Sequence, residues 1–281
     1  MKIGMLMLRH APAHRSSVTR DVIRLLTEWD AQVDVIYPEE QLVTLSHVRP
    51  EYDLYVLKSR TDMALGLAGA LHAAGAAMLN PYPVSALLRD RITTTRHLQA
   101  ADIPTPETYV TAHPERLTPL LDEGPIAVKP HRGSGARGVH VVWDADELDD
   151  IPTNQGPILA QRLVERAGHA RKIYCVGGQL FGVRKVWPAR THEEKVGEAF
   201  TITPKLRDIA LRCGRAFGID VYGLDIIGTD ENPFVVDVQS FPNFKGVPDA
   251  ALRLADYIYH ACQRVVNGLP VLPGPEKEVR S

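Results

Sequence analysis

Residues 126–142, IAVKPHRGSGARGVHVV, carry strand-forming residues on both sides of a glycine-rich turn, and this order limits the fold more than any other segment. The glycines follow the pattern G-x-G-x-x-G, which binds dinucleotides when a strand precedes the turn and a helix follows it. Here the β-branched run VHVV follows the turn, so we predict two strands joined by a glycine loop. This order disfavours an NAD site. The sequence contains no G-x-x-x-x-G-K-[ST], which excludes a P-loop.

The glycine loop has the composition of a phosphate cover. Glycine lets backbone N–H groups approach an anion closely, and a lysine on the preceding strand adds a point charge. The residues that we expect to contribute are Lys129, Arg132, Gly133, Ser134, Gly135, Arg137 and Gly138. An ordinary exposed hairpin with a basic tip is the alternative that the loop alone leaves open.

The first third of the chain alternates strand and helix patterns. KIGMLML, QVDVIYP and YDLYVLK are typical of strands, and apolar residues at helical spacing lie between the first two. Such alternation predicts a parallel sheet covered on both faces. A helix is expected next, from about Val84 to Ala101.

Beyond about residue 105 the pattern changes to hairpins, with turns predicted at Gly177–Gly178 and at TDEN, residues 229–232. A helix is expected from Pro204 to Gly218. The fold class is therefore α/β plus α+β.

Composition narrows the possible partners. The net charge of −2 gives no overall attraction to nucleic acid or to a membrane surface, and no apolar run reaches the roughly 20 residues of a spanning helix. The 281 residues suit two or three small domains. Cys175, Cys213 and Cys262 lie too far apart for a zinc set, and we expect them in the core of a cytoplasmic protein.

A pair of acids in apolar strands is the second signal. Asp225 and Asp237 are symmetric about Glu231, so a hairpin folded at that point places them opposite each other, with Gln239 on the same face. Opposed carboxylates repel each other and need a shared proton, a lysine or a divalent cation. The phosphate-cover loop in the same chain favours Mg²⁺ over a solvated sheet edge.

Taken in order, these segments resemble the ATP-grasp superfamily, in particular the branch of ribosomal-S6-type glutamate ligases, to which inositol trisphosphate kinases are related. AVKPHRGSGARGV and LDIIG…FVVDVQSFPNFKGVP carry the resemblance, which spans about residues 80–268 in motifs and 1–80 in architecture. The resemblance implies an N-terminal parallel-sheet (pre-ATP-grasp) domain over 1–88. It also implies a small central lid domain over 89–162 and a C-terminal antiparallel-sheet domain, with the metal-binding hairpin, over 163–281.

The resemblance also implies roles for individual residues. ATP would be held by Arg91, Lys129, Gly133, Ser134, Gly135 and Gly138, with its adenine on the hinge Gln161, Arg162, Leu163 and Val164. Two Mg²⁺ ions, or Mn²⁺, would bind Asp225, Asp237 and Gln239, with Asp237 between the ions. Lys172 and Arg184 would act in catalysis, and the substrate would contact His131, Arg132, Arg137, Lys185 and Lys245.

Three positions depart from the family pattern. Gln239 stands where Asn is usual, Arg91 where Lys is often found, and Ala170 where an acid is common. Gln offers the same carbonyl group on a longer side chain. Arg keeps the charge of Lys but not its shape, and the contact made by the missing acid is in doubt.

The function that the resemblance implies is ATP-dependent ligation of a carboxylate to an amine through an acyl phosphate, with release of ADP and phosphate. The alternative is a kinase that phosphorylates a hydroxyl group of a small molecule, and a third possibility is nucleotide binding without turnover. We expect small-molecule carboxylate and amine substrates, neither nucleic acid nor membrane as a partner, and a homo-oligomer as one possible assembly.

Overall fold

The computed structural model describes residues 1–9, 17–133, 138–152, 156–164, 169–186 and 196–273, without the side chains of residues 169, 185 and 186. The first sheet is parallel, with strand order β2-β1-β3-β4. Its elements are β1 (Lys2–Leu6), α1 (Ser17–Glu28), β2 (Gln32–Ile36), β3 (Leu54–Leu57), α2 (Asp62–Ala73) and β4 (Met78–Leu79). The predicted α/β alternation is confirmed.

Two helices, α3 (Tyr82–Leu87) and α4 (Arg91–Ala100), replace the single helix expected from Val84 to Ala101. Asp90 separates them, with extended backbone at φ −104° and ψ 110°. Its carboxylate accepts hydrogen bonds from the N–H groups of Ile92 (2.8 Å) and Thr93 (3.1 Å). This side-chain cap satisfies donors that a new helix start leaves open, and it favours the break.

The second sheet is antiparallel, with strand order β5-β8-β6-β7. It consists of β5 (Thr108–Thr111), β6 (Ile126–Pro130), β7 (His140–Val142) and β8 (Ile158–Arg162), with the short helix α5 (Thr118–Leu121). Strand β6 pairs with β7 in antiparallel register, Ile126 opposite Val142. Strands therefore flank the glycine loop on both sides, as predicted.

The third sheet is also antiparallel, with strand order β11-β10-β9-β12-β13. Its strands are β9 (His169–Val176), β10 (Gln179–Val186), β11 (Glu198–Phe200), β12 (Val221–Gly228) and β13 (Pro233–Ser240). Helix α6 (Pro204–Phe217) starts with a proline and ends at Gly218, whose φ of 60° is left-handed. Helix α7 (Ala250–Val266) closes the fold. The parallel first sheet and the two antiparallel sheets confirm the predicted α/β plus α+β fold class.

Both faces of the third sheet are covered. One face packs on α6, through residues such as Leu224, Ile226 and Ile209. The other face packs on α7 and on the first sheet, through residues such as Tyr174 and Val176. The second sheet has a separate core of eight buried side chains, among them Ile126 and Val128.

Buried polar side chains join the first sheet to the third. Asn80, just after β4, donates through Nδ2 to the carbonyl oxygen of Val221 (2.6 Å) and to Ser240 Oγ (3.0 Å). The Lys58 ammonium, just after β3, donates to the carbonyl oxygens of Phe241 (3.0 Å) and Pro242 (3.1 Å) and to Asn243 Oδ1 (2.7 Å). These bonds hold the carboxyl edge of the first sheet against the ends of β12 and β13.

The three cysteines are buried and unbridged, as expected of core residues. Burial raises the pKa of Cys175 to about 11, so its thiol stays protonated at neutral pH. Across the described residues, no helix combines the length and the apolar character needed to cross a bilayer. The domain boundaries at residues 88 and 162 stay predictions.

Candidate active site

The acid pair lies on the hairpin of β12 and β13, in the predicted register. Asp225 is directly opposite Asp237, and a β-bulge follows, after which Ile226 is opposite Val235. Val236 is therefore the extra residue of the bulge. Without it, the register of the turn would place Asp225 opposite Val236, and the two acids would face opposite sides of the sheet. The bulge thus brings both carboxylates to one face.

Neighbouring side chains partly neutralise the pair. Lys172 lies opposite Asp225 on β9, and its Nζ is 2.8 Å from Asp225 Oδ1. Gln239 donates through Nε2 to Asp225 Oδ2 (3.1 Å) and to Asp237 Oδ2 (2.9 Å). Burial, and then the charge of Asp225, raise the pKa of Asp237. Lys172 thus forms an ion pair with Asp225, while Asp237 interacts electrostatically with Lys172 and Arg91.

The donor set fits a hard divalent cation. Two carboxylates and an amide carbonyl are oxygen ligands of the kind that Mg²⁺ and Mn²⁺ prefer, and substrate phosphate oxygens can complete the coordination. The Gln239 amide now directs its nitrogen at both acids, so its oxygen would reach a cation only after rotation of the amide. No third Asp, Glu, His or Cys joins the pair within the described ranges.

A lysine of the second sheet is held by a neutral amide. The Nζ of Lys129 on β6 donates to Gln161 Oε1 (2.6 Å), and Gln161 Nε2 donates to Thr108 Oγ1 (3.0 Å). Gln161 is almost fully buried, with 4% of its surface exposed. This chain of bonds positions the ammonium group, and a lysine ammonium is a common contact for phosphate.

Arg91 links the two halves of the site. Its Nη1 donates to the carbonyl oxygen of Pro130 (2.7 Å), at the start of the glycine loop. A Cβ at Gly133 would lie 2.9 Å from the same nitrogen, so a larger residue there would displace the Arg91 guanidinium. Burial lowers the pKa of Arg91, while the Asp237 carboxylate acts in the opposite direction. Arg91 is therefore close enough to the acid pair to interact with its charge. Ser134, Gly135 and Arg137 lie outside the described residues.

The hinge expected to hold adenine, residues 161–164, spans the end of β8. The backbone N–H groups of Arg162 and Leu163 donate to the carbonyl oxygens of Glu107 and Pro125, both at 3.1 Å. These two donors are therefore engaged within the protein. A base would have to bind through the hinge carbonyl groups and the N–H of Val164. The Arg162 side chain forms an ion pair with Glu123 (2.5 Å), away from this role.

The register corrects the expectation for Arg184. Lys172 is opposite Val183, whereas Arg184 is opposite Arg171. Because opposed residues share a face, Arg184 lies on the other side of the sheet from the acid pair. There its guanidinium is 5.9 Å from the centre of the Phe200 ring. This position does not support the catalytic role expected for Arg184.

The remaining substrate candidates are dispersed. His131 Nδ1 is 3.0 Å from the carbonyl oxygen of Pro157, so its ring packs on the backbone. Arg132 is exposed, and its backbone pairs with that of Asp90 in an isolated antiparallel β-bridge. Lys245 is exposed, and the side chain of Lys185 lies outside the described part of the chain. Gly138 has a φ of 72°, which favours glycine at the end of the loop.

Sequence reasoning missed several basic residues near the acids. Arg60 lies two residues after Lys58. Burial lowers the pKa of Arg60, and the charges of Asp237 and Asp225 partly oppose this shift. Arg89, close to Arg91, pairs with Asp62 at 3.9 Å. The sequence did contain a signal for Arg60. The polar run KSRTD directly follows an apolar strand of a parallel sheet, and ligands of such sheets bind at the carboxyl ends of the strands.

Comparison with known proteins agrees with this geometry. A model of the RimK-like ATP-grasp domain matches residues 88–259, more than half of the chain. A probable alpha-L-glutamate ligase of Aliivibrio salmonicida is 25% identical over 64% of this chain and 68% of its own length. A ribosomal protein bS6–L-glutamate ligase of Salmonella schwarzengrund is 24% identical over 74% of this chain and 77% of its own.

Solved structures share the fold. A RimK domain ATP-grasp protein from Sphaerobacter thermophilus superposes with a TM-score of 0.73 at 23% identity, over 92% of this chain and 100% of that one. D-alanine–D-alanine ligase of Bacillus anthracis superposes with a TM-score of 0.72 at 18% identity, over 95% and 99%. It has also been solved with ATP.

None of these relatives is named as a kinase, and the curated ones are named as ligases. ATP-grasp ligases use ATP and divalent metal ions, which agrees with the acid pair and its oxygen donors. The sequence-based prediction of an ATP-grasp carbon–nitrogen ligase is thereby confirmed, and the chain belongs to the RimK-like ATP-grasp family.

Proposed function

We propose that the two sheets bind the triphosphate of ATP between them, and that the bound nucleotide activates a small-molecule or peptide carboxylate for attack by an amine. The observation that carries the proposal is the position of Arg91. Its side chain contacts the start of the glycine loop at Pro130 and interacts with the charge of Asp237. The loop and the acid pair therefore face a common space.

In the first step an oxygen of the substrate carboxylate attacks the γ-phosphorus, and the bond to the β–γ bridging oxygen breaks to release ADP. In the second step the amine nitrogen attacks the carbonyl carbon of the acyl phosphate. Phosphate leaves, and the nitrogen loses a proton to give the amide. No nucleophilic side chain is required, which agrees with three cysteines that are buried and protonated.

The chain's own residues bind and orient the reactants. Lys129, fixed by Gln161, would contact the α- and β-phosphates, and the loop from Gly133 to Gly138 would cover the β- and γ-phosphates and exclude water. Asp225, Asp237 and Gln239 would hold two divalent ions, whose positive charge disperses the charge that develops on the transferred phosphate.

Lys172 has a second role in this proposal. It neutralises Asp225 while no cation is present, and it turns toward the transferred phosphate when cations take over that function. The Gln239 amide, which donates to both acids, then rotates to present its oxygen to a cation. Both changes need only side-chain rotation, so the backbone of the hairpin stays in place.

Hydroxylamine trapping tests the reaction class. The protein is incubated with ATP, Mg²⁺, hydroxylamine and a panel of small carboxylates, and hydroxamate and ADP are measured. Hydroxamate that depends on both ATP and a carboxylate supports the acyl phosphate. ADP release with a phosphorylated alcohol and no hydroxamate would instead establish the kinase alternative. The Asp237→Asn variant serves as the inactive control.

A further inference from the structure

The turn of the acid hairpin is held by an arginine of the neighbouring strand. Arg171 of β9 forms an ion pair with Asp230, and its Nη2 donates to the carbonyl oxygens of Gly228 (2.6 Å) and Thr229 (3.0 Å). The three acceptors belong to consecutive residues, where β12 leads into the turn. Arg171 is almost fully buried, with 7% of its surface exposed. One side chain therefore holds the backbone of the turn against β9.

Arg171 lies on the opposite face of the third sheet from the acid pair. It is paired with Ile226 of β12, and the next residue, Lys172, is paired with Asp225. Successive side chains of a strand point to opposite faces, so β9 holds Asp225 from one face and the turn from the other. Ile226 packs on the side of α6. Arg171 is on that side too, and it can influence the reactants only through the position of the hairpin.

The turn between β12 and β13 has a defined length. Gly228 is paired with Pro233, which leaves residues 229–232 as the turn. Gly228 has a φ of 85°, and a Cβ on it would lie 2.3 Å from the carbonyl oxygen of Asn232, so only glycine allows the backbone to close here. The N–H of Asn232 also donates to Thr229 Oγ1 (3.1 Å). Bonds within the turn and bonds from Arg171 therefore support the same four-residue geometry.

The length of the turn decides where the extra residue of β13 lies. That residue can form the bulge at Val236, or it can become a fifth residue of the turn, in which case β13 is regular. The bonds from Arg171 fix the carbonyl groups of residues 228 and 229 as the four-residue turn has them, and this selects the bulge. On the outer side of β13, the N–H of Val235 donates to the carbonyl oxygen of Pro104 (2.8 Å). The bulge lies between these two anchored points.

The bulge in turn affects the direction of the metal-binding side chains. A bulge bends its strand and re-aims the side chains beside it, which here are Asp237 and Gln239. Mg²⁺ requires its oxygen ligands in near-ideal octahedral positions, so a small change in their direction weakens binding. We propose that Arg171 is a positioning residue for the metal site: it keeps the extra residue at Val236 and thereby aims Asp237 and Gln239 at Asp225. This inference rests on the proposed function.

Cation binding measured without turnover tests this role. Mn²⁺ is titrated into the protein in the presence of a non-hydrolysable ATP analogue, and free Mn²⁺ is measured by electron paramagnetic resonance. We expect Arg171→Met to raise the Kd for Mn²⁺ by about ten-fold or more, the loss typical when a residue that orients metal ligands is removed. Arg171→Lys keeps the charge and can still donate to a carbonyl oxygen, so it should restore part of the affinity.

Two control variants separate positioning from a general loss of stability. Ile209→Ala removes a buried side chain of α6 that packs on the same face of the sheet. It should lower the melting temperature at least as much as Arg171→Met does, yet leave the Kd for Mn²⁺ unchanged. Asp230→Asn keeps an oxygen acceptor for Arg171, and the exposed carboxylate contributes little, so the Kd should change only slightly.

The outcomes distinguish this inference from the proposed function. A wild-type protein that binds no Mn²⁺ with the analogue contradicts the proposed function itself. If the wild type binds Mn²⁺ and Arg171→Met loses no more affinity than Ile209→Ala, the positioning role is overturned. If Arg171→Met does not fold, as judged by its melting temperature, Gly228→Ala carries the test, because its Cβ displaces the turn while Arg171 stays. An unchanged Kd in that variant would likewise overturn the role.

Discussion

The second and third sheets each supply one half of the candidate active site, but different amounts of packing hold them in place. The third sheet is buried on both faces and is bonded to the first sheet through Asn80 and Lys58. The second sheet has one core of eight buried side chains. Arg91 of α4 contacts this sheet at Pro130, the last residue of β6. The metal half is therefore expected to be rigid, and the phosphate half to open more readily.

The largest effect is expected at the acid pair. Asp237→Asn should lower kcat by about 10³-fold, because it removes a ligand that no other described carboxylate can replace. Burial and the charge of Asp225 raise the pKa of Asp237, so its ionised form costs stability at pH 7. The free energy of unfolding should therefore not fall in the variant. Asp230→Asn, in the turn of the same hairpin, is the matched control, and an equal loss there would contradict the assignment.

On the second sheet, Lys129→Met should raise the KM for ATP by roughly 30-fold, the equivalent of one charged hydrogen bond. Gln161→Leu should have a smaller effect of the same kind, because Gln161 only positions the ammonium group. Steady-state kinetics with varied ATP measure both. An unchanged KM for ATP in Lys129→Met would contradict the assignment of the second sheet to the nucleotide site.

Chemical denaturation can compare how the two sheets are attached. Asn80→Ala should lower the free energy of unfolding by about 2 kcal/mol, because it removes two buried hydrogen bonds, to the Val221 carbonyl oxygen and to Ser240 Oγ. Thr108→Val, on the second sheet, should cost less, about 1 kcal/mol, since its two hydrogen bonds, to Gln161 Nε2 and to the carbonyl oxygen of Pro106, are only partly buried. Equal losses would mean that the two sheets are held alike.

The bond between the first and third sheets should also respond to pH. Burial, with a smaller contribution from Arg60, lowers the pKa of Lys58 to about 7. The unfolded chain then binds more protons than the folded one above this pH, so stability rises as pH increases from 7 to 9. We expect a rise of about 1 kcal/mol that is absent in Lys58→Met. Urea denaturation at several pH values measures it, and parallel profiles would refute it.

The smallest expected change in kcat/KM comes from a comparison of basic residues on the two faces of the third sheet. Arg184→Gln should change kcat/KM by no more than about two-fold, whereas Lys172→Gln, on the face of the acid pair, should lower it about ten-fold. A loss in Arg184→Gln as large as that in Lys172→Gln would show that the expected catalytic role was right and that the register argument does not decide it.

Much of this arrangement could be predicted from local patterns. The alternation of strands and the hairpin turns predicted the acid hairpin, and Asp225 and Asp237 lie opposite each other as expected from their symmetry about Glu231. The observed turn does not have that symmetry, however, and the bulge at Val236 brings the two acids into register. The same symmetry applied to Gly177–Gly178 gives Lys172 opposite Val183, so the sequence already contained the evidence against Arg184. The position of Arg184 follows only from the pairing of β9 with β10 and not from the pattern within either strand.

Other features depend on contacts that no local pattern records. The helix break at Asp90 follows from a side-chain cap that competes with good helix formers such as Leu88, Arg89 and Arg91. Arg60 and Arg89 come close to each other and to the end of β13 only through tertiary packing. Sequence therefore predicts elements and their pairing better than it predicts charged groups that converge from three segments.

The bulge at Val236 makes the two arms of the acid hairpin unequal in length. Three residues separate Asp225 from the turn and four separate Asp237 from it. If Val236 were instead paired opposite Asp225, the hairpin, its turn and most of its hydrogen bonds would remain, yet Asp237 and Gln239 would face α6. A descendant of this chain could in this way lose its chemistry while it keeps its shape.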